Sequence, residues 1–367
     1  MDTMMMPTRK LCFLLCILYV GSLQYAHAQH RLKIAVAGLS HDHVHPLLNA
    51  YRQGEVTLLG VAESDTGLML NYQRRYGLPD SICFPTVKAM LQSVKPDVIL
   101  AYNAISEHVE IAEACLPMRI PLMVEKPLAT TNDQARRIAA LAEKYDTPVW
   151  TNYETTWYTS NQELKKLVGT GAVGRLKKIV VRDGHQGPKE IGCSEAFLAW
   201  LTDPEKNGGG ALMDFGCYGA NLITWLMNGE RPVAVTAVTR QLKPDKYPYV
   251  DDDATVILEY AGGLTGVLQA SWDWPYSIKD IQVFGDSSSL HAVDAQTVVH
   301  YRSPGDKASV PVTDDFYDGH LSFLKAVLDG VPVSPHDPSS LANNLVVVEI
   351  LAAARESAKR GTRVELE

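Results

Sequence analysis

The 367-residue sequence has no Cys-x-x-Cys pair, no extended run of lysine and arginine, and no full Gly-x-Gly-x-x-Gly after its first predicted strand. Without paired cysteines, zinc-ribbon and thioredoxin-type chemistry has no scaffold. With a formal net charge of −8 and no basic run, neither nucleic acid nor an anionic membrane surface is an expected partner. Cysteine is scarce. Cys12 and Cys16 lie in the N-terminal apolar run. Cys83, Cys115, Cys193 and Cys217 are spaced so that buried thiols and disulfides both remain open.

The N-terminus reads as a leader. Arg9 and Lys10 precede the apolar run 11–23, and Ala26-His27-Ala28 presents small residues at −3 and −1 before Gln29. That run is too short for a comfortable bilayer span. The pattern predicts a signal peptide over residues 1–28 and an exported product, periplasmic or secreted, with no membrane insertion after cleavage. An uncleaved anchor is the alternative. Roughly 340 residues remain, enough for one large or two ordinary domains. With 46% apolar residues, a full core is within reach.

From residue 33 to residue 151, strands and helices alternate. Strands are expected at 33–37, 56–62, 97–101, 121–124 and 148–151. Helices are expected at 44–52, 66–76, 86–93, 107–116 and 131–145. This alternation predicts parallel βαβ units in a doubly wound Rossmann sheet, with the ligand at the carboxyl ends of the strands. After residue 151 come a helix at 163–168, a strand at 176–182 and a helix at 211–227. Five strand-like stretches follow at hairpin spacing: 233–240, 254–260, 264–272, 279–284 and 288–300. Helices at 316–328 and 338–360 close the chain. The fold expected is therefore α/β: a dinucleotide-binding domain over 29–151, and an α+β substrate-binding and oligomerisation domain over 152–367. The second domain has a large, open, mainly antiparallel sheet, and the last helix packs back.

Gly38-Leu39-Ser40-His41-Asp42-His43 occupies the first strand–helix turn. Gly38 serves the tight turn, while Ser40 and His43 stand where two further glycines would admit a pyrophosphate. Glu63 ends the second strand, where a carboxylate accepts ribose hydroxyls and repels a 2′-phosphate, favouring NAD over NADP. Glu125-Lys126-Pro127 follows the strand at 121–124 and places an ammonium at its carboxyl edge, where it can assist deprotonation of a hydroxyl. In Gly208-Gly209-Gly210 and the helix beyond it, Asp214, Tyr218 and Asn221 fall at i, i+4 and i+7 and so share one face. A lysine near Tyr218 would lower its pKa and make it a proton relay.

Taken together, Glu125-Lys126-Pro127, His108 in Asn103-Ala104-Ile105-Ser106-Glu107-His108, and the Gly-Gly-Gly…Asp-x-x-x-Tyr-x-x-Asn helix resemble the Gfo/Idh/MocA family. The family includes glucose–fructose oxidoreductase and inositol dehydrogenase, and the tyrosine places the resemblance in the glucose–fructose oxidoreductase and dihydrodiol dehydrogenase branch. The resemblance implies NAD(P), a sugar or polyol substrate, and a homodimer or homotetramer formed through the open sheet. It implies that Lys126, Tyr218 and Asp214 are catalytic. Gly38, Ser40, His41, Glu63, Asn103, His108, Glu125 and Lys126 are then expected around the cofactor. His185, Asn221, Trp157 and Tyr153 are expected around the substrate. Export suggests a tightly held cofactor reduced and reoxidised in place, with ring oxidation, at C3 of a glycoside for instance, giving a 3-keto product.

Three rival readings stand beside this one. His41, His43 and His45 form His-x-His-x-His, a spacing that suits a metal-dependent hydrolase. An NAD-assisted glycosidase would show no net redox change. A sugar-binding protein on the same scaffold would need no proton relay. Asp251-Asp252-Asp253 is expected to be a solvated turn, and Asp42 is a candidate cap for the first helix.

Overall fold

The computed structural model describes residues 31–313 and 316–366; the leader expected over 1–28 lies outside them. The first half builds strand by strand: β1 (Lys33–Ala37), α1 (Val44–Gln53), β2 (Thr57–Ala62), α2 (Thr66–Tyr76), β3 (Cys83–Phe84), α3 (Val87–Ser93), β4 (Val98–Ala101), α4 (His108–Cys115), β5 (Leu122–Glu125), α5 (Asn132–Tyr145) and β6 (Val149–Asn152). Local chemistry sets the boundaries. Asp65 accepts the Leu68 N–H at the start of α2, and Gly77 at φ +69° ends it. Thr131 caps α5 by accepting the Gln134 N–H.

These six strands form one parallel sheet in the order β3-β2-β1-β4-β5-β6. The order reverses between β1 and β4, which opens a crevice above their carboxyl ends. Val36, Leu100 and Met123 are buried on one face and Ala35, Ile99 and Leu122 on the other. This two-sided burial is why the strands read as continuous apolar runs.

The second half contains α6 (Thr159–Gly169), β7 (Leu176–Gly184), α7 (Glu195–Leu201), α8 (Ala211–Asp214), α9 (Gly216–Leu226), β8 (Ala234–Arg240), β9 (Asp253–Glu259), β10 (Thr265–Ser271), β11 (Ile278–Gly285), β12 (Ser289–Ala292), β13 (Val298–Ser303), β14 (Asp306–Val310), α10 (His320–Leu328), α11 (Leu341–Arg360) and β15 (Val364–Glu365). Nine strands form a sheet in the order β14-β13-β12-β11-β7-β10-β9-β8-β15, antiparallel except at β7–β10. The helix α9 lies on it, entirely buried. Gly219 lets the two meet, since a Cβ there would stand 2.8 Å from Leu268. The helix α11 touches α5 and β6 of the first half as well as α9 and β8 of the second. Among the described residues no helix is long and apolar enough to cross a membrane.

Several expectations change. The strand expected at 288–300 is two strands, β12 and β13, joined by a turn at 293–297. The helix α7 and the edge strands β3, β14 and β15 stand where no element is expected. The helix expected at 211–227 is broken at Phe215, because Lys126 Nζ donates to the Asp214 carbonyl at 3.1 Å and takes the acceptor that the next turn would use. Asp251 and Asp252 are not a solvated turn. The Asp251 carboxylate accepts the Gly210 and Leu212 N–H groups at 2.9 and 2.7 Å and caps α8, and Asp252 accepts Leu242 and Lys243 N–H. Cys83, Cys115, Cys193 and Cys217 are free thiols.

Candidate active site

Two cavities adjoin at the carboxyl ends of β1, β4 and β5. The first, of about 520 Å³, is bordered by Gly38, Ser40, Glu63 and Asn103. Gly38 sits at φ +82°, and a Cβ there would lie 2.6 Å from the Asn103 Cβ. Glycine is thus what lets the β1 and β4 turns approach each other. The Glu63 carboxylate accepts Leu39 N–H at 2.8 Å and Asp65 N–H at 2.8 Å, which ties the end of β2 to the glycine turn. Ala199 and Trp200 of α7 form the opposite wall. Trp200 Nε1 donates to the Ser40 carbonyl at 3.2 Å and Ser194 N–H donates to Asp42 at 2.8 Å, so the second half of the chain is pinned over the first turn. Asp42 is spent there and does not cap α1. A crevice at the strand reversal, with a glycine turn and an acid at the end of β2, fits a dinucleotide.

The second cavity, of about 870 Å³, contains Lys126, Asp214, Tyr218, His185, Glu154 and Lys279 on its walls. Lys126 and Asp214 form a buried ion pair, and Trp272 Nε1 donates to the other Asp214 oxygen at 2.9 Å. Burial alone would lower the Lys126 pKa, but the Asp214 charge outweighs it and holds the ammonium above its ordinary range. Lys126 Nζ lies 5.1 Å from the centre of the Tyr218 ring and Lys279 Nζ 4.7 Å, both as cations over its face. Burial, followed by the charges of Glu154 and Asp183, raises the Tyr218 pKa well above its usual value. The two lysine cations lie over the ring of Tyr218. Lys279 donates to Glu154 at 2.5 Å, and Tyr158 donates to the other Glu154 oxygen at 2.5 Å. Asp183, opposite Lys279 in the β7–β11 register, is driven up to about 8 by burial.

Of the residues expected at the cofactor, Gly38, Ser40, Glu63 and Asn103 line the first cavity and Lys126 the second, whereas His41, His108 and Glu125 line neither. His108 is fully buried and packs behind β5, with Nδ1 donating to the Leu128 carbonyl at 3.1 Å. Glu125 is 2% exposed and lies under the site: His43 Nδ1 donates to one of its oxygens at 3.0 Å and Asn152 to the other at 2.7 Å. Of the residues expected at the substrate, His185 lines the cavity and the other three do not. Asn221 is buried and donates to the Pro338 carbonyl at 2.8 Å, and α9 packs against α11. Trp157 donates to Asn152 and packs on Phe323. Tyr153 is buried edge-on against Tyr218.

The histidine triplet divides. His45 meets the Tyr76 hydroxyl and stacks on Tyr72. His41 and His43 approach Glu125, and their ligand atoms fall within 4.8 Å of one another. Their tautomers oppose a metal. His41 Nδ1 accepts the His43 N–H at 3.2 Å, so the neutral ring carries its proton on Nε2, the atom a metal would need.

Lys279, Glu154 and Asp183 were not foreseen as site residues. The signal available was a pair of charged residues, Asp183 and Lys279, in alternation with Ile179 and Val181 on β7 and with Ile281 and Val283 on β11.

Family models match both halves: an oxidoreductase family NAD-binding Rossmann fold over residues 32–153, and a GFO/IDH/MocA C-terminal domain over residues 161–291. Trans-1,2-dihydrobenzene-1,2-diol dehydrogenase of Xenopus tropicalis is 26% identical over 214 residues, covering 58% of this chain and 60% of that protein. The match therefore spans less than two thirds of that relative. D-glucoside 3-dehydrogenase of Escherichia coli K12 is 23% identical over 357 residues, covering 92% of this chain and 97% of that protein. Among solved structures, aldose-aldose oxidoreductase from Caulobacter crescentus, complexed with glycerol, shares the fold at a TM-score of 0.76 and 22% identity. That superposition covers 92% of this chain and 100% of the other. An inositol dehydrogenase homologue from Azotobacter vinelandii, complexed with NAD+, has a TM-score of 0.77 at 16% identity, covering 92% and 97% of the two chains.

Proposed function

Because the chain belongs to the Gfo/Idh/MocA family of NAD-binding oxidoreductases, we propose that it oxidises a ring hydroxyl of a sugar or glycoside, with NAD as cofactor. The observation that carries this reading is the Lys126–Asp214 pair beside Tyr218 on the wall of the larger cavity next to the dinucleotide crevice. A nicotinamide held in that crevice would supply the acceptor for the carbinol C–H electron pair. Lys126, fixed as an ammonium, and the Tyr218 hydroxyl then donate hydrogen bonds to the substrate oxygen and hold it as a carbonyl forms. Asp214 orients Lys126 and keeps it charged.

Glu63 supports NAD over NADP, since a 2′-phosphate near its carboxylate would meet like charge. The near full-length likeness to a D-glucoside 3-dehydrogenase supports C3 of a glycoside as the oxidised carbon. The contacts of α7 across the glycine turn support a retained, recycled cofactor, as does the likeness to an aldose-aldose oxidoreductase. The leader pattern supports export to the periplasm or beyond. The open face of the nine-stranded sheet, with Val238 and Ile257 exposed, supports a homodimer or homotetramer.

Native mass spectrometry of the purified exported protein is the direct test. A retained dinucleotide, and a keto-sugar product from a glycoside given with NAD, are the expected results. Protein that binds neither NAD nor NADP refutes the scheme, and release of free sugar without a keto product would favour the NAD-assisted glycosidase.

A further inference from the structure

The cavity that holds Lys126 and Tyr218 is larger than one sugar ring requires. Its volume of about 870 Å³ lies near the top of the range, roughly 300–1,000 Å³, in which pockets enclose drug-sized ligands. Its two ends differ. Lys126, Asp214 and Tyr218 are buried and make the inner end polar. The mouth carries Ile191, Tyr276 and Val293, which are 50%, 63% and 41% exposed. Single exposed apolar residues are ordinary on a protein surface, but three at the mouth of one cavity mark a ligand surface.

The three side chains come from three separate loops, and each loop is tied down. Ile191 follows β7. Its neighbour Glu190 accepts from Lys243, Lys246 and the Tyr247 hydroxyl, and Ile191 N–H donates to the Gly187 carbonyl at 3.0 Å. Tyr276 lies between β10 and β11. Before it, Trp274 N–H donates to the His185 carbonyl at 3.2 Å, and after it Ile278 pairs with Gly184. Val293 opens the turn between β12 and β13. Its N–H donates to the Thr297 carbonyl at 2.9 Å, and the Ser160 hydroxyl donates to the Asp294 carbonyl at 2.5 Å. The rim is therefore preorganised, and little ordering entropy is lost when it is covered. The carboxylates beside it are already engaged. Asp280 accepts from Arg182 and His291, and Asp294 accepts the Gln296 and Thr297 N–H groups. What the rim adds is uncovered apolar surface.

We infer that this rim is an aglycone subsite, which takes an apolar group carried on the anomeric oxygen of the glycoside oxidised at the inner end. This rests on the function proposed above and narrows its substrate class to glycosides of phenols and other apolar alcohols. Continuity argues for that occupant. The rim and the Lys126–Asp214 pair border one cavity, so a group attached to the bound sugar reaches the rim without leaving it. Tyr276 offers a ring face on which an aryl group can stack, and Ile191 and Val293 offer aliphatic surface. Contact at the rim is remote from the reacting carbon and equal in ground and transition states. It therefore acts on the half-saturating concentration and not on the limiting rate.

The test uses the mature protein with NAD and the methyl and phenyl D-glucopyranosides, each in both anomeric forms. Single-turnover reduction of NAD at varied glycoside gives the limiting rate and the half-saturating concentration. For the anomer that reacts, the phenyl glycoside should half-saturate at a concentration about 10-fold or more below the methyl one. Limiting rates for the two should agree within about 3-fold. Tyr276→Ser and Ile191→Ser should each cut the phenyl preference by about 3-fold, and the double variant should bring it near unity. Tyr249→Ser changes an exposed tyrosine outside the cavity and should leave the preference as it is. Equal saturation by the two glycosides, or a preference that the rim variants do not move, overturns the subsite while leaving the oxidation standing. Rim variants that break up an oligomer in native mass spectrometry assign the rim to a subunit contact and also overturn it. Failure of the wild type to reduce NAD with any of these or other glycosides overturns the function and the subsite together.

Discussion

Replacing Lys126 by methionine separates its structural role from its chemical one. Methionine matches the length of the lysine stem and deletes the ammonium. In the native protein that ammonium pairs with Asp214 and donates to the Asp214 carbonyl. Its removal leaves a carboxylate, 6% exposed, with only the Trp272 N–H beside it. Breaking a buried ion pair from one side costs about 3–5 kcal/mol, because the remaining charge is still desolvated. At roughly 2 °C per kcal/mol for a chain of this size, the melting temperature should fall by about 6–10 °C. Asp214→Asn in the same background removes the orphan charge and should recover more than half of that loss. Activity should stay lost in both, since neither restores the donor. The pH dependence carries the sign. The native pair holds the Asp214 carboxyl below its unfolded value, so its contribution is present above about pH 4 and fades as pH falls through the lowered native value. Scanning calorimetry of the two variants across pH gives the answer. A Lys126→Met protein as stable as wild type, or a double variant that regains turnover, would refute the reasoning.

Three further outcomes are expected. Gly38→Ala should cost about 1–3 kcal/mol and abolish dinucleotide binding, since its Cβ would lie 2.6 Å from Asn103 at a φ of +82°; calorimetric melting and NAD titration check it. Asn221→Ala should leave KM for the glycoside unchanged and lower stability by about 1–3 kcal/mol through the lost bond to the Pro338 carbonyl and the Asn344 Oδ1 left without a donor, the reverse of what a substrate residue would show in steady-state kinetics. His108 is buried neutral with its pKa lowered to about 4. Its contribution is therefore full above pH 6.5 and lost as pH falls from there toward 4, and His108→Gln should flatten melting temperature over that window.

The sequence was most legible where function depends on strand ends. Gly38, Glu63, Asn103 and Lys126 follow β1, β2, β4 and β5, and the alternation of short apolar runs with amphipathic helices was enough to bring them to one crevice. Legibility failed where another element covers a helix face. Asn221 lies one turn beyond Tyr218 on α9, but its side chain donates to the Pro338 carbonyl and Asn343 of α11 donates to its backbone carbonyl, so it does not reach the cavity. Glu125 and His108 stand in the right segments, but burial at the end of β5 and behind it makes them supports.

The sequence by itself determined the two sheets, the parallel order of the first and the carboxyl-end location of the site, because hydrophobic period and turn chemistry are local properties of the chain. Only the tertiary structure decided charge and protonation. Lys126 stays an ammonium because Asp214, far away in sequence, reaches it in a buried space. The Tyr218 pKa is raised by burial and then by the carboxylates of Glu154 and Asp183. His43 carries its proton on Nδ1 because the Glu125 carboxylate beside that atom only accepts. Protonation follows desolvation and neighbouring charge, and both are set by contacts between segments that no local pattern connects.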